Sequence, residues 1–147
     1  MRVADRDFLE TIEGYFFCVI GVRHPRERVI AYLKYVKDRV GKWEGRGFRA
    51  RRVLKYYTMK YLKDTLEFLK REAPHYITEI PCVGAFSTVP VERVIRHYMP
   101  ESRLKQLLSQ EGGDPLEAKA VSLALMIADK AGVSTSKMGV TGSILLG

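Results

Sequence analysis

The sequence predicts an α+β protein, with a small antiparallel sheet, packed helices and a long helix after them. Two runs of aromatic and β-branched residues, at 15–22 and 29–36, are typical of strands. Residues 59–72 instead repeat apolar side chains at helical spacing. A second helical pattern begins after the glycine pair Gly112-Gly113. These patterns together predict the α+β class.

The first elements along the chain form the predicted sheet. The strand at 15–22 is broken by His24-Pro25. The alternating pattern at 29–36 predicts a second strand, although so short a run also fits a helix. Residues 37–50 are a predicted glycine-punctuated loop, and residues 51–57 return as a third strand. This basic region is therefore predicted to be a hairpin or meander with a charged tip.

Helices and a further extended pair follow the sheet. Thr58 can cap a helix at 59–72, and Ala73-Pro74 ends it, because a proline cannot continue the helix. The remaining elements predicted before the glycine pair are extended segments at 76–80 and 85–89 and helices at 90–98 and 101–110.

The glycine pair is the clearest break, so we place a domain boundary there. Residues 1–111 form a basic α+β N-terminal domain, and residues 112–147 form the start of a second domain. Asp114-Pro115-Leu116-Glu117 is a typical helix start, with an acidic N-cap and an early proline and glutamate. Gly132 fits a left-handed C-cap. The apolar face predicts a largely buried helix: Leu116, Ala120, Leu123, Ala124 and Ile127.

Composition restricts the cellular location. No apolar run approaches the ~20 residues that span a bilayer, and the N-terminus lacks the apolar core of a signal peptide. These features predict a cytoplasmic protein with no membrane partner. The absence of Asn and the abundance of charged residues are typical of heat-adapted proteins. Cys18 and Cys82 are therefore either two buried small hydrophobes or an intracellular disulfide, and neither has a metal-ligand partner at short spacing.

The net charge of +8 is unevenly distributed. Residues 23–55 contain twelve basic and three acidic residues, so nearly all of the excess lies in this segment. Such asymmetry indicates a polyanionic partner. The alternative is a heat-adapted surface of ion pairs, although few acids lie nearby in sequence to form them.

Aromatic residues are interleaved with these charges, a mixture that is typical of single-stranded nucleic-acid binding. Core packing is the alternative for the tyrosines, whereas Trp43, in the glycine-rich loop, is the aromatic residue most expected to be exposed. The candidate nucleic-acid-binding residues are Lys42, Trp43, Arg46, Arg49, Arg51 and Arg52.

The last residues contain a Gly142-Ser143 turn, with a further glycine at Gly147. After a helix and a short strand into Thr141, such a turn brings backbone N–H groups and a hydroxyl to where phosphate oxygens can be held. The alternative is an ordinary strand-to-helix turn.

The segment Gly139-Val140-Thr141-Gly142-Ser143-Ile144-Leu145-Leu146-Gly147 resembles the first half of the signature of the DNA polymerase β-type nucleotidyltransferase superfamily. The rest of the chain is similar to the N-terminal region of predicted archaeal nucleotidyltransferases. The shared stretches are Ala4-Asp5-Arg6-Asp7-Phe8, Phe17-Cys18-Val19-Ile20-Gly21, Tyr32-Leu33-Lys34-Tyr35-Val36, Gly41-Lys42-Trp43 and Asp114-Pro115-Leu116-Glu117. The resemblance extends over essentially the whole chain.

The resemblance implies transfer of a nucleoside monophosphate from an NTP to a hydroxyl, assisted by two Mg²⁺ ions. It implies that Gly142 and Ser143 hold the triphosphate. The family's metal-binding aspartates lie roughly ten residues beyond this serine, so residues 1–147 lack them and are expected to be inactive alone. The spaced pair Asp5 and Asp7 is expected to lie in a solvated N-terminal turn rather than to replace them.

An apolar end at 144–147 predicts a truncated domain. Residues from Val140 onward are then expected to be disordered, or covered by a neighbouring molecule in a homo-oligomer.

Two functional hypotheses follow. The first is the substrate-positioning part of a nucleotidyltransferase, with nucleic acid or NTP as partner, and the second is a non-enzymatic module for single-stranded nucleic acid. A scaffold or oligomerisation domain is a third class. Hydrolytic catalysis has no support, since no G-x-S-x-G elbow and no suitably spaced Ser–His–Asp set occurs.

Overall fold

The computed structural model describes residues 1–45, 47–53, 56, 58–82, 84–110 and 113–147, and Met59 by its backbone alone. The α+β class is confirmed: the described residues contain an eight-stranded antiparallel sheet and four α-helices. The chain forms two compact units, Met1–His97 and Tyr98–Gly147. The division lies earlier than the predicted boundary between residues 111 and 112, which stays a prediction.

The elements are numbered in chain order. The strands are β1 Phe8–Thr11, β2 Tyr15–Val19, β3 Arg28–Lys37, β4 Trp43–Gly45, β5 Phe48–Arg52, β6 Ile77–Ile80, β7 Gly84–Pro90 and β8 Val94–Tyr98. The α-helices are α1 Met59–Glu72, α2 Pro100–Ser109, α3 Pro115–Ala131 and α4 Ser143–Leu146. Short 3₁₀ turns cover Pro74–Tyr76, Val91–Arg93 and Thr135–Lys137.

Strand β3 organises the sheet of the first unit. One edge of β3 pairs with β2, and the other edge pairs with β7 at its start and with β5 at its end. The sheet order is β4-β5-β3-β2-β1-β8, and β6 extends the β7 branch. Because two strands share one edge of β3, the sheet curls. The main hydrophobic cluster contains the fully buried residues Phe17, Leu33, Leu69 and Tyr76. Phe8 and Phe16, which alternate with its members along β1 and β2, are also fully buried.

The structure corrects two predictions at the margin of this sheet. Asp7 does not lie in a solvated turn: it is buried, and its Oδ2 accepts hydrogen bonds from Ala4 N (2.8 Å) and His97 Nε2 (2.6 Å). The helix predicted at 90–98 is also wrong. Only Val91–Arg93 forms a helical turn, and β8 then runs beside β1. Pairing with another strand therefore prevails over the local preference of a proline to start a helix.

The charged hairpin is confirmed, with different bounds. Strands β4 and β5 form within the predicted loop, and β5 begins at Phe48 rather than at residue 51. Residues 54, 55 and 57 of the predicted third strand lie outside the described part of the chain. Helix α1 has the predicted bounds, although the Thr58 side chain makes no cap hydrogen bond.

The second unit confirms the predicted start and end of α3. Asp114 Oδ1 accepts from the N–H groups of Leu116 (2.7 Å) and Glu117 (3.0 Å), and Gly132 adopts a left-handed φ of 63°. The predicted burial is wrong, because Ala124 is the one buried residue of α3. Apolar side chains that are about half exposed are Leu116, Leu123, Leu125, Met126 and Ile127.

The end of the second unit is ordered, contrary to the prediction. Among residues 113–147 no strand leads into Thr141. Leu145 and Leu146 are buried in the short helix α4, so the chain itself covers much of the apolar end. Gly139 lies directly against α2, since an added Cβ would come within 2.7 Å of the Pro100 side chain.

Candidate functional site

The β4–β5 hairpin and the residues beside it carry the described basic candidates Lys42, Arg49, Arg51 and Arg52. Its register pairs Trp43 with Ala50 and Gly45 with Phe48, and Gly47 in the turn between them has a φ of +78°. Gly41 leads into the hairpin where an added Cβ would stand 2.2 Å from the Ala50 carbonyl oxygen. The hairpin thus depends on glycine both for a left-handed turn and for close backbone contact.

The cations of the hairpin are exposed but not all are unpaired. Arg49 lies 3.9 Å from Glu44, and Arg51 lies 3.3 Å from Asp38. The ion-pair interpretation is therefore correct for these two arginines. Exposed pairs of this kind contribute only ~0–1 kcal/mol, so a phosphate can compete for both arginines. Lys42 is exposed and has no ion-pair partner within the described part of the chain.

Two further candidates add less to this surface. Arg52 is half-buried at the end of β5, where its neighbour across the sheet is Tyr35. Arg46 lies outside the described residues.

An open groove runs along the hairpin. It is lined by residues 37–39, 44, 45 and 47–49, and its volume of about 670 Å³ suits a nucleotide-sized ligand. Lys37 adds little free charge, because its Nζ pairs with the buried carboxylate of Glu10 at 2.5 Å. Arg39 and Arg49 are therefore the lining cations that can face a phosphate.

The aromatic residues separate into core and surface. Tyr32 and Tyr35 are buried, which confirms the core interpretation for them. Trp43 is 39% exposed, and its ring meets Tyr35 edge-on at 5.7 Å. Tyr56 is 64% exposed beside Tyr61. Trp43 is thus an aromatic face held in place by the core and available to stack on a base.

The glycine-serine turn lies in the second unit. Gly142 has φ 82° and ψ −145°, a conformation that is essentially restricted to glycine. Ser143 is half-buried and begins α4. A turn into a short helix therefore forms at Gly142, but no strand precedes it among the described residues, and its role in holding phosphate stays a prediction.

Arg103 holds this turn and was not predicted. The side chain is 4% exposed, and its Nε donates to the carbonyl of Ile144 at 2.8 Å. Its other nitrogens donate to Gln106 Oε1 (3.2 Å), the Glu117 carboxylate and the Gly147 carbonyl. The sequence around Arg103 is an ordinary helical pattern and does not predict this role, because the hydrogen-bond partners of Arg103 come from three separate segments of the chain.

A second unpredicted cluster surrounds Glu13 in the first unit. Tyr76 Oη and the Arg93 guanidinium donate to its carboxylate, and His75 Nε2 lies 3.3 Å away. Burial raises the pKa of Glu13, but the hydrogen bonds from Tyr76 and Arg93 outweigh it and lower the pKa to about 2. Burial and the bond to Glu13 raise the pKa of Tyr76 to about 12.

The cysteines are not bridged. Cys18 is buried, and burial raises the pKa of its thiol. Cys82 is exposed, which contradicts its assignment to the core, and it occupies a turn with a left-handed φ of 65°. Within the described ranges no three His, Cys, Asp or Glu side chains come together as a metal site.

Comparisons with known proteins provide a relative but no function. The chain is 34% identical to an uncharacterized protein of Methanocaldococcus jannaschii over an alignment of 159 positions. That alignment includes 99% of this chain and 44% of the relative, so the chain spans less than half of the relative's length. No family model and no solved structure matches the chain. No helix in the described part is long and apolar enough to cross a membrane.

Proposed function

We propose that this chain is the substrate-positioning N-terminal part of an archaeal nucleotidyltransferase, and that the β4–β5 hairpin holds a single-stranded nucleic acid. The observation that carries the proposal is the exposed set Lys42, Trp43, Arg49 and Arg51 on one hairpin. The relative in Methanocaldococcus jannaschii is archaeal and extends well beyond the matched region, which is consistent with this proposal.

The hairpin has the two components that unspecific strand binding needs. The exposed cations neutralise backbone phosphates and release counterions, while Trp43 stacks on a base regardless of sequence. Because Trp43 is braced by Tyr35, its ring loses little conformational entropy on binding. The groove beside the hairpin provides the concave path that a strand would follow.

The nucleotide side of the proposal rests on Gly142 and Ser143. Resemblance to the nucleotidyltransferase signature assigns them the triphosphate, and the glycine-only conformation of Gly142 supports a close approach by a ligand. The described residues do not fit an Mg²⁺ site, since no group of three suitable ligands converges among them. The resemblance implies that the metal-binding aspartates of the family lie roughly ten residues beyond Ser143, so no chemical step is assigned to this chain.

The hairpin is tested by titrating labelled single-stranded RNA and DNA into the protein at several salt concentrations. Lys42→Ala with Arg49→Ala should weaken binding roughly tenfold at low salt and flatten the salt slope by about 1.4 units, two phosphate contacts at ~0.7 each. Trp43→Leu should weaken binding with an unchanged slope, because stacking is not electrostatic.

The matched control removes two exposed lysines from α1 instead, Lys60→Ala with Lys63→Ala. It lowers the net charge equally but leaves the hairpin intact. Equal loss of affinity in both double variants would assign the effect to overall charge and refute the hairpin as the binding surface. Absence of binding to either nucleic acid at ~50 mM salt would end the proposal.

The alternative function is a non-enzymatic module for single-stranded nucleic acid. The same hairpin observations favour it, because none of them requires catalysis. Nucleotidyl transfer by the gene product as encoded, measured with Mg²⁺ and labelled NTPs, distinguishes the two. Incorporation that Ser143→Ala abolishes supports the transferase, whereas binding without incorporation supports the module.

The homo-oligomer stays a prediction, but the apolar surface that would form its interface is now on α3 rather than at the end of the chain. The apolar end of the chain is largely covered, but Leu116, Leu123 and Ile127 remain about half exposed on α3. Light scattering at increasing protein concentration tests whether these side chains pair two copies; a constant monomer mass would contradict it.

A further inference from the structure

A second cationic site lies in the first unit, away from the hairpin. A cleft of about 410 Å³ opens where the N-terminal residues meet the turn before β3. Its charged lining consists of Arg2, Arg26, Arg28 and Glu27, and valine side chains form much of the remaining wall. Three guanidinium groups against one carboxylate make the cleft a concave site of positive charge.

The three arginines differ in how they are held. Arg28 is anchored, because its Nε donates to Thr88 Oγ1 (2.8 Å) and its Nη2 donates to the His75 carbonyl (2.5 Å). Arg2 and Arg26 are exposed, and within the described part of the chain neither has an ion-pair partner. The cleft thus combines one fixed cation with two that are available to a ligand.

His24 lies in the wall of the same cleft. Its Nδ1 accepts from the Ile30 N–H (3.2 Å), so the neutral ring carries its proton on Nε2. The ring is partly buried: burial lowers the pKa of His24, and a hydrogen bond with the Gly21 backbone opposes this shift. Because His24 lines the cleft, its ring reports on what binds beside the arginines.

We propose that this cleft binds a phosphate group. The planar fork of arginine matches phosphate oxygens in bidentate geometry, and the valine wall suits the uncharged part of a phosphorylated molecule. The cleft is separate from the hairpin: Arg28 and Lys37 are the two ends of β3, up to about 30 Å apart at ~3.3 Å per residue. One phosphate cannot contact both. The phosphate belongs either to a free small molecule or to a nucleic-acid strand.

The test follows the ring ¹⁵N signals of His24 by NMR while inorganic phosphate, ribose 5-phosphate or a 5′-phosphorylated oligonucleotide is added. We expect the shift to saturate with ligand concentration, which gives a dissociation constant. This constant should rise at least tenfold in the double variant Arg2→Ala with Arg26→Ala. The control is Arg23→Ala with Arg71→Ala, two exposed arginines that do not line the cleft. This control should leave the dissociation constant unchanged.

The probes separate the two sources of phosphate. A shift with inorganic phosphate or ribose 5-phosphate supports a small-molecule pocket, and a shift with the oligonucleotide alone supports a strand contact. No shift with any probe, or an equal loss of affinity in the control pair, would overturn the proposal. The hairpin variant Lys42→Ala with Arg49→Ala should respond to inorganic phosphate like the wild type, so failure of the hairpin proposal is distinguishable.

Discussion

The Glu13 cluster predicts a specific effect of Tyr76→Phe on stability. Tyr76 is fully buried, and its ring packs on Phe17 (centroids 4.8 Å apart) and Tyr15 (5.9 Å). Phenylalanine keeps this packing and removes only the hydroxyl that donates to Glu13. Glu13 retains its contact with Arg93, so the main loss is the hydrogen bond from the hydroxyl to a charged acceptor.

The expected magnitude follows from the character of that bond. Hydrogen bonds to charged groups contribute ~1.5–3 kcal/mol, and the remaining Arg93 contact places the loss near the lower end. We therefore expect Tyr76→Phe to lower the free energy of unfolding by about 1.5 kcal/mol at neutral pH. The pKa of Glu13 should rise from about 2 toward its ordinary value of 4.5.

The pH dependence has a definite sign. The pKa of Glu13 is lower in the folded state, so its stabilisation is fully present above the unfolded pKa of 4.5 and is lost as the pH falls toward 2. The stability difference between wild type and Tyr76→Phe should therefore be largest near neutral pH and shrink between these two values. Urea unfolding across this range measures the difference, and ¹³C NMR of the Glu13 carboxyl carbon measures its pKa directly.

The control is Tyr56→Phe, which also removes a tyrosine hydroxyl. Because Tyr56 is 64% exposed, this change should alter the free energy of unfolding by less than ~0.5 kcal/mol. Equal stability of Tyr76→Phe and wild type at neutral pH would refute the assigned role of the hydrogen bond. A difference that persisted undiminished near pH 2 would show that the Glu13 charge is not involved.

Three further predictions concern the hairpin, the second unit and activity. Gly41→Ala should destabilise the protein by ~1–3 kcal/mol in urea unfolding, because its Cβ would overlap the Ala50 carbonyl; an unchanged midpoint contradicts this. Arg103→Met should cost ~3–5 kcal/mol and accelerate amide exchange at residues 144–147, whereas Lys105→Met, exposed on the same helix, should do neither. If the resemblance to nucleotidyltransferases holds, with metal-binding aspartates beyond residue 147, residues 1–147 alone should incorporate no labelled nucleotide with Mg²⁺; measurable incorporation refutes this.

Local sequence was enough to locate the elements whose signals lie in neighbouring residues. The bounds of α1 and both ends of α3 agree with the prediction. Helical periodicity defines α1, and the caps at Asp114 and Gly132 define α3, and both signals involve residues within one or two turns. Strands β2 and β3 were located for the same reason. The cationic character of the hairpin also follows from sequence alone, since charge is a property of composition.

Tertiary structure decided what covers each face. A helical pattern shows that α3 has apolar side chains but not whether anything packs on them, so its predicted burial was wrong. Likewise, β8 became a strand because β1 offers an edge to pair with, a partner more than eighty residues away in sequence.

At both cationic sites, too, tertiary structure decided what the sequence alone does not show. Sequence identified Lys42, Trp43 and Arg49 as candidates and predicted an exposed Trp43, yet only the fold shows that the buried Tyr35 lies against the Trp43 ring. The cleft around Arg28 combines residues from the N-terminus, the turn before β3 and the segment after β7. Sequence spacing does not predict this cleft, because residues that are distant along the chain become neighbours only when the strands pair into a sheet.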